Sequence, residues 1–279
     1  QLMEEHHPDK TGKPFFLAMG FFRPHTPYVA PAHYAELYPL EKIIPLMEKA
    51  GDRNDIPSLA LHDRPHQREL SLSKRKEIIQ AYYASITLMD ACVGKLMDAL
   101  DKLKLTENTI VVFFSDHGYH LGHHGLWQKS DLFEGSARVP MIISVPGERT
   151  VGKKSTSLVE LIDLYPTLAE LCGLDKPSHL KGKSLVPILK DTTKSVREAA
   201  FTVTRARGKF SKKAVGQKPL GRTIRTSRYR YTEWGHDGKH GVELYDYKTD
   251  PLEYINLARR KGNESLVKIM QTKLHATRS

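Results

Sequence analysis

The chain has 279 residues, and its 43 Lys and Arg residues against 32 Asp and Glu residues give a formal net charge of +11. The hydrophobic fraction of 39% and the charged fraction of 27% are ordinary for a globular protein, so the composition excludes wholesale disorder. The apolar runs are far shorter than the ~20 residues of a membrane-spanning helix, and two cysteines are too few for a disulfide framework or a cysteine-rich metal site.

The amino-terminal part of the chain combines one short strand with one long helix. Residues Pro14–Gly20 are mostly apolar and end in a glycine, which predicts a short buried strand. Apolar side chains then recur at steps of three and four residues from Ile78 to Leu100. They predict a helix that is capped by Ser73, runs to about Leu103 and buries a single apolar stripe.

The middle of the chain alternates apolar strands with helices. Residues Thr109–Ser115 predict a strand that is apolar on both faces, like a central strand of a parallel sheet, and Pro140–Val145 predict a second strand. Asp163 predicts the start of a helix that has a proline in its first turn and ends at Cys172. Because helices alternate with apolar strands, the pattern favours an α/β fold with a mostly parallel sheet that is covered on both faces.

The last part of the chain has a different sequence pattern. Strand-like segments joined by polar turns, followed by a helix over Glu264–His275, predict a small antiparallel subdomain over residues 198–279, after a larger domain over residues 1–197. All the excess positive charge lies in residues 201–279, which hold 18 Lys and Arg against 7 Asp and Glu, and Arg205–Arg230 carry ten basic residues without one acid. This stretch is consistent with a polyanion-binding surface or with a solvated basic face. Within it, Lys209–Lys218 predict a mobile loop.

A dense cluster of polar residues follows the predicted strand Thr109–Ser115. Asp116 and His117 stand at its carboxyl end, where ligands bind in open α/β sheets, and both could reach one metal ion. Lys129 comes a dozen residues later and could return to contact an anionic oxygen. Two other interpretations stay open here, a histidine-rich surface loop and a zinc site. The candidate zinc ligands are His117, His120, His123 and His124.

This cluster is one of several motifs that run through the chain in a recognisable order. They are Arg23-Pro24-His25-Thr26-Pro27-Tyr28, Ser115-Asp116-His117-Gly118, Leu121-Gly122-His123-His124-Gly125, Trp127-Gln128-Lys129, Arg138-Val139-Pro140, Leu161–Leu168 and Glu243-Leu244-Tyr245-Asp246. Together they resemble the formylglycine-dependent type I sulfatases, and most closely the iduronate-2-sulfatase-like enzymes. The resemblance covers nearly the whole chain. It implies an alkaline-phosphatase-like α/β fold and hydrolysis of a sulfate ester of a sugar or a glycosaminoglycan-like substrate.

The resemblance implies roles for five residues. Asp116 and His117 would be metal ligands, with Ca²⁺ as the expected ion, although imidazole is a less usual ligand for so hard a cation. Lys129 would bind the sulfate oxygens and stabilise the charge that develops on the bridging oxygen. His25 would contact the sulfate or transfer a proton near the leaving alcohol, and Arg23 would bind substrate.

The chain also departs from the family pattern. His123 stands where the family often has Glu. The Cys/Ser-x-Pro-x-Arg segment that yields the formylglycine nucleophile has no counterpart in this sequence, nor has the early pair of aspartates that completes the metal site. Two protein ligands fall short of the ~6–8 oxygens that Ca²⁺ takes. We therefore expect the carboxyl-terminal two-thirds of a sulfatase, which a companion amino-terminal chain completes or which is inactive alone.

A sulfated carbohydrate is the expected partner, and neither nucleic acid binding nor a membrane span is expected. Two alternatives to a sulfatase stay open. One is a phosphomonoester or phosphonate hydrolase of the same superfamily, and the other is an inactive fragment that only binds glycan. The family is commonly exported, so we expect a periplasmic, secreted or lysosomal location, although no signal peptide is visible in this chain.

Overall fold

The computed structural model describes residues 1–62, 65–148, 150–206 and 218–276. All but the last residue of the predicted mobile loop Lys209–Lys218 lies outside the described residues. Helices in these ranges are α1 (Leu2–Glu5), α2 (Pro8–Thr11), α3 (Ala32–Ala35), α4 (Pro65–Arg68), α5 (Leu72–Lys102), α6 (Glu134–Ala137), α7 (Leu164–Leu171), α8 (Val186–Lys190) and α9 (Glu264–His275). Strands are β1 (Val111–Phe114), β2 (His120–Leu121), β3 (Trp127–Gln128), β4 (Met141–Ser144), β5 (Ala199–Arg205), β6 (Leu220–Thr226), β7 (Tyr229–Trp234) and β8 (Val242–Asp246).

The chain divides into two compact units. The first unit holds residues 1–45, 69–111 and 144–147, and the second holds residues 46–68, 112–143 and 148–279. The domain boundary that the sequence places at residue 198 stays a prediction.

The long predicted helix is the main element of the first unit, as α5. Its N-cap is Ser71 rather than the predicted Ser73, because the Ser71 side chain accepts a hydrogen bond from the Lys74 amide at 3.2 Å. The Thr87 hydroxyl of α5 lies 2.6 Å from the Tyr38 hydroxyl, which holds the helix against the loop after α3. None of the helices in the described ranges is both long and apolar enough to cross a membrane.

Two of the three predicted apolar strands form, and the earliest one does not. β1 and β4 lie within Thr109–Ser115 and Pro140–Val145, as predicted, and they pair with each other. The prediction of a buried strand over Pro14–Gly20 was wrong: these residues form no strand, and Phe16 is 86% exposed. A strand needs a neighbour for its backbone hydrogen bonds, and no segment of the described chain pairs with these residues.

The predicted helix that begins at Asp163 is confirmed as α7, with Cys172 as its C-cap. Asp163 occupies the N-cap position, but its carboxylate does not cap α7. It accepts hydrogen bonds from the backbone amides of Glu160 at 2.8 Å and Lys183 at 2.7 Å. The buried carboxylate therefore ties the start of the helix to two neighbouring loops.

The carboxyl-terminal strands form the predicted antiparallel sheet, in the order β5-β6-β7-β8. The closing helix α9 spans the predicted residues. One face of the sheet packs with α9 through Ile224, Tyr231, Leu244, Met270 and Leu274. A second cluster of buried apolar residues contains Leu126, Leu132, Phe133, Trp234 and Tyr245. Neighbouring residues of a strand point to opposite faces, so the two clusters lie on opposite faces of the sheet and both faces are covered. The second cluster includes residues on both sides of Lys129 in the chain, so this face of the sheet supports that segment.

Candidate functional site: a carboxylate–histidine turn beside a lysine hairpin

Asp116 and His117 form a turn directly after β1. The Asp116 side chain is 83% exposed, and its Oδ2 lies 3.5 Å from Nε2 of His117. His117 Nδ1 lies 2.8 Å from the carbonyl oxygen of Gly118. Because a carbonyl oxygen only accepts hydrogen bonds, Nδ1 carries a proton, and in the neutral ring Nε2 then has the lone pair. An imidazole lone pair that faces a carboxylate oxygen is an arrangement in which both groups can share a metal ion.

The position of this turn is set by a close approach of two backbones. The Gly118 amide donates a hydrogen bond to the Ser136 carbonyl at 2.8 Å. A Cβ on Gly118 would lie 2.1 Å from the carbonyl oxygen of Gly135, so only glycine fits here. A Cβ on Gly135 would lie 2.5 Å from the ring of His120. Helix α6 therefore holds the Asp116–His117 turn with no side chain between them.

Lys129 follows the short hairpin formed by β2 and β3. On either side of it, Gln128 and Ser130 have φ angles of 86° and 85°, a region that costs a non-glycine residue roughly 1–3 kcal/mol. His62 Nε2 donates a hydrogen bond to the Lys129 carbonyl at 3.0 Å. Contacts with the surrounding protein therefore hold the Lys129 segment in a conformation that an isolated chain avoids.

Two buried histidine–aspartate pairs brace the hairpin, and the sequence analysis did not find them. His120 Nε2 lies 3.0 Å from Asp131 Oδ1, and His124 Nδ1 lies 2.9 Å from Asp52 Oδ2. All four side chains are at most 1% exposed. Asp52 precedes His124 by 72 positions, so no local pattern links them. His120 and Asp131 are 11 residues apart, so their pairing could be predicted only after the hairpin between them had been recognised.

The zinc alternative is not supported by this geometry. The ring centroids of His120 and His123 are 5.9 Å apart, and those of His123 and His124 are 6.2 Å apart. Over the described ranges, neither these histidines nor His117 belong to a group of three donors that converge on one point. Burial lowers the pKa of His123 to about 4, aided by the neighbouring His120 and His124. His123 is therefore neutral near pH 7.

Arg23 and His25 lie together in a loop of the first unit. The Arg23 guanidinium donates to the Val29 carbonyl at 2.9 Å and to the His25 carbonyl at 3.3 Å. The ring of His25 is exposed, and its Nδ1 lies 2.7 Å from the Thr26 carbonyl oxygen. By the same reasoning as for His117, Nδ1 carries a proton, and in the neutral ring Nε2 has the lone pair.

The predicted site residues thus fall into two groups. In the second unit, Asp116 contacts His117, and Lys129 lies on the hairpin that follows them. In the first unit, Arg23 contacts His25. The roles that the resemblance implies for these five residues stay predictions.

Part of the basic stretch Arg205–Arg230 is neutralised inside the protein. Arg230 is buried, and its guanidinium pairs with Glu134 and with Glu253, the latter at 3.1 Å. Arg225 lies 3.4 Å from the same Glu134 carboxylate. The interpretation of this stretch as a polyanion-binding surface therefore does not extend to these two arginines. Since Glu134 begins α6, they tie the sheet to the helix that holds the candidate site.

Comparison with known families identifies the chain. The family model described as sulfatase matches residues 3–174, and the model described as the carboxyl-terminal part of N-sulphoglucosamine sulphohydrolase matches residues 122–279. The chain belongs to the sulfatase family. The resemblance inferred from the motifs is thereby confirmed.

Individual relatives agree with this assignment. Human iduronate 2-sulfatase is 30% identical to the chain, over 88% of this chain and 58% of the relative. The solved phosphonate monoester hydrolase from Silicibacter pomeroyi has a TM-score of 0.85 at 21% identity, over 99% of this chain and 58% of that one. A solved protein bound to its substrate D-glucosamine-2-N,6-O-disulfate has a TM-score of 0.65 at 28% identity, over 74% of this chain and 41% of that one.

These likenesses confirm the predicted alkaline-phosphatase-like fold class. The chain has the alkaline-phosphatase-like fold that sulfatases share with phosphonate monoester hydrolases, with an antiparallel carboxyl-terminal sheet. The chain spans about half the length of the curated relatives that it matches.

Proposed function

We propose that this chain forms the carboxyl-terminal part of a sulfatase that hydrolyses a sulfate ester of a sugar or a glycosaminoglycan-like polymer. The observation that carries the proposal is the turn after β1, in which the His117 Nε2 lone pair faces the exposed carboxylate of Asp116 at 3.5 Å. The likeness to human iduronate 2-sulfatase supports the reaction type. The likeness to a protein solved with a disulfated glucosamine supports a sulfated sugar as the substrate class.

Asp116 and His117 fit part of a divalent metal site, because one supplies an exposed carboxylate and the other an imidazole nitrogen that faces it. The family resemblance favours Ca²⁺, which takes ~6–8 ligands. The remaining ligands would come from water, from substrate or from residues outside this chain. When bound, the ion would supply positive charge against the sulfate oxygens.

The other three residues would bind and neutralise the substrate. The Lys129 ammonium would hold the sulfate oxygens, where charge on the bridging oxygen grows as the ester bond breaks. His25 would hold or transfer the proton of the leaving alcohol at Nε2, since its Nδ1 is already engaged with a carbonyl. Arg23 uses Nε and Nη1 to shape its own loop and keeps further N–H groups for an anionic part of the sugar.

A companion amino-terminal segment would supply the nucleophile, which the resemblance implies to be formylglycine. Exposed apolar side chains support such a segment. Phe114 of β1 and Ile142 of β4 are exposed, although strands of parallel sheets are normally buried on both faces. A further segment packed against these two paired strands would cover such side chains. We also infer an exported location, whether periplasmic, secreted or lysosomal, from the family alone.

Sulfate release by the full-length protein that contains this chain tests the proposal. We expect faster turnover of a sulfated disaccharide than of a phosphonate monoester. We expect Lys129→Met to lower kcat/KM by ~10²–10³-fold, the usual effect of removing one group that stabilises transition-state charge. The matched control is Lys153→Met, which removes an exposed lysine outside the candidate site and should leave kcat/KM unchanged.

Three other outcomes would contradict the proposal in different ways. Faster turnover of the phosphonate ester would favour a phosphonate hydrolase of the same superfamily. Binding of a sulfated glycan by the full-length protein without sulfate release would favour an inactive, glycan-binding protein. Sulfate release by residues 1–279 alone would contradict the need for a companion segment.

A further inference from the structure

A second group of metal-ligand side chains lies away from the candidate sulfatase site. Among the described residues, Glu233, Asp237 and His275 each offer one donor atom, and these atoms lie within 4.8 Å of one another. Glu233 belongs to β7, Asp237 to the turn after β7, and His275 to the last turn of α9. The three residues therefore converge from separate elements of the same unit.

The two distances from His275 to the carboxylates lie close to those around a tetrahedral ion. His275 Nε2 lies 2.9 Å from Glu233 Oε2 and 3.7 Å from Asp237 Oδ1. A tetrahedral Zn²⁺ with bonds of ~2.0–2.1 Å separates its ligand atoms by roughly 3.3 Å, between these two values. Imidazole nitrogen and carboxylate oxygen are both ordinary ligands of Zn²⁺. The three donors could therefore close on one ion with small side-chain movements.

Two carboxylates converge on one nitrogen of His275. His275 Nε2 also lies 3.1 Å from Glu233 Oε1, so three carboxylate oxygens surround one nitrogen. That nitrogen carries at most one proton and can donate to one oxygen at full strength. A divalent ion can bind the nitrogen and both carboxylates at once.

Neighbouring groups already orient the two carboxylates. The Tyr231 hydroxyl and the Gln271 amide donate to Glu233 Oε1, each at 3.0 Å. His236 Nδ1 lies 2.7 Å from Asp237 Oδ2, the oxygen that the contact with His275 does not use. Outer contacts of this kind are typical of metal sites, where they fix the orientation of the ligands. Glu233 is buried while Asp237 is half exposed, so the group is open to solvent on one side.

We propose that Glu233, Asp237 and His275 form a binding site for a divalent transition metal such as Zn²⁺, with a coordination position left for water. The site fastens α9 to β7. It is separate from the candidate sulfatase site, and its metal affinity does not depend on whether the protein hydrolyses sulfate esters.

Calorimetric titration of the purified chain with Zn²⁺ tests the proposal. We expect the unaltered chain to bind one more equivalent of Zn²⁺ than His275→Gln or Asp237→Asn. His236→Gln should bind the same number of Zn²⁺ ions as the unaltered chain. Its affinity at this site should be ~10–100-fold lower, the usual effect of losing an outer contact. His179→Gln, which removes an exposed histidine outside the group, is the matched control and should bind like the unaltered chain.

Equal stoichiometry and affinity in the unaltered chain and in either folded ligand variant would overturn the proposal, because the contact would then be an ion pair only. Circular dichroism checks that each variant is folded. Should His275→Gln fail to fold, Asp237→Asn decides the question, since its side chain is half exposed. Unweakened binding by a folded Asp237→Asn overturns the site on its own.

Discussion

His120 Nε2 lies 3.0 Å from Asp131 Oδ1, and neither side chain is more than 1% exposed. The same carboxylate accepts hydrogen bonds from the Phe133 amide at 3.1 Å and from the Ser136 hydroxyl at 2.9 Å. Burial would raise the pKa of Asp131, but the contacts with His120 and Ser136 and the nearby His62 outweigh it and hold the pKa below its ordinary value. One charged carboxylate therefore links the hairpin before Lys129 to helix α6 after it.

Replacement of the Asp131 carboxylate should destabilise the folded protein. We expect Asp131→Ala to lower the free energy of unfolding by ~3–5 kcal/mol, because it leaves buried hydrogen-bonding groups without their partner. Urea denaturation measures the loss. The control is Asp175→Ala at an exposed position, which should change the free energy by no more than about 0.5 kcal/mol. A loss below about 1 kcal/mol for Asp131→Ala would show that the carboxylate does not brace the hairpin.

Gly118 and Gly94 should respond to alanine in opposite directions. Gly118→Ala places a Cβ 2.1 Å from the Gly135 carbonyl oxygen, so we expect a loss of ~1–3 kcal/mol in unfolding free energy. Gly94 lies inside α5 with nothing within 4 Å of an added Cβ. Since Gly is a poor helix former, Gly94→Ala should gain ~0.8–1.0 kcal/mol. Thermal denaturation of both variants decides the matter, and a neutral Gly118→Ala would contradict the close backbone approach.

The stability of the sheet should depend on the protonation of Glu243. Burial raises the pKa of Glu243 from 4.5 to about 7, although it accepts hydrogen bonds from Trp234 and Tyr245. The folded state then binds more protons than the unfolded state between these two values, so this contribution to stability is lost as the pH rises from about 4.5 to 7. The stability difference between the unaltered chain and Glu243→Gln should therefore fall over this range, with a slope of at most ~1.4 kcal/mol per pH unit. A difference that is flat from pH 4.5 to 7 would exclude the raised pKa.

His123 should show the opposite slope. Its pKa is lowered from 6.5 to about 4, first by burial and then by His120 and His124. The unfolded state binds more protons in this range, so the contribution of His123 is present above pH 6.5 and is lost as the pH falls through 4. The stability difference between the unaltered chain and His123→Gln should rise from pH 4 to 6.5. The Glu243→Gln and His123→Gln variants should be measured in the same buffers, so that each serves as the control for the other. Slopes of the same sign would contradict one of the two pKa shifts.

Elements with a strong local signal could be predicted from the sequence. Helix α9 has the predicted bounds, and β1 and β4 lie inside the two apolar runs that predict strands. The turn that carries Asp116 and His117 is predicted because a polar, glycine-rich stretch directly follows an apolar strand, and the metal-binding role of these two residues stays a prediction. In each case the residues that decide the structure are close together in the chain.

Features that depend on a distant partner could not be predicted. The apolar run Pro14–Gly20 meets the local criteria for a strand, but a strand forms only where another strand pairs with it. Asp52 lies in a proline-rich, charged region with no visible motif, yet its carboxylate is the partner of His124. The group formed by Glu233, Asp237 and His275 exists only once α9 is laid against the sheet.

The contact between Gly118 and Gly135 makes the placement of the Asp116–His117 turn independent of side-chain chemistry. Peptide nitrogen and oxygen are the same in every residue, so the gap that these atoms define is not altered when nearby side chains change in size or polarity. A mutation changes this gap directly only by adding a carbon atom at Gly118, because a Cβ on Gly135 would meet the ring of His120 instead. The local sequence can therefore vary widely in composition while the carboxylate and the imidazole keep their position relative to α6.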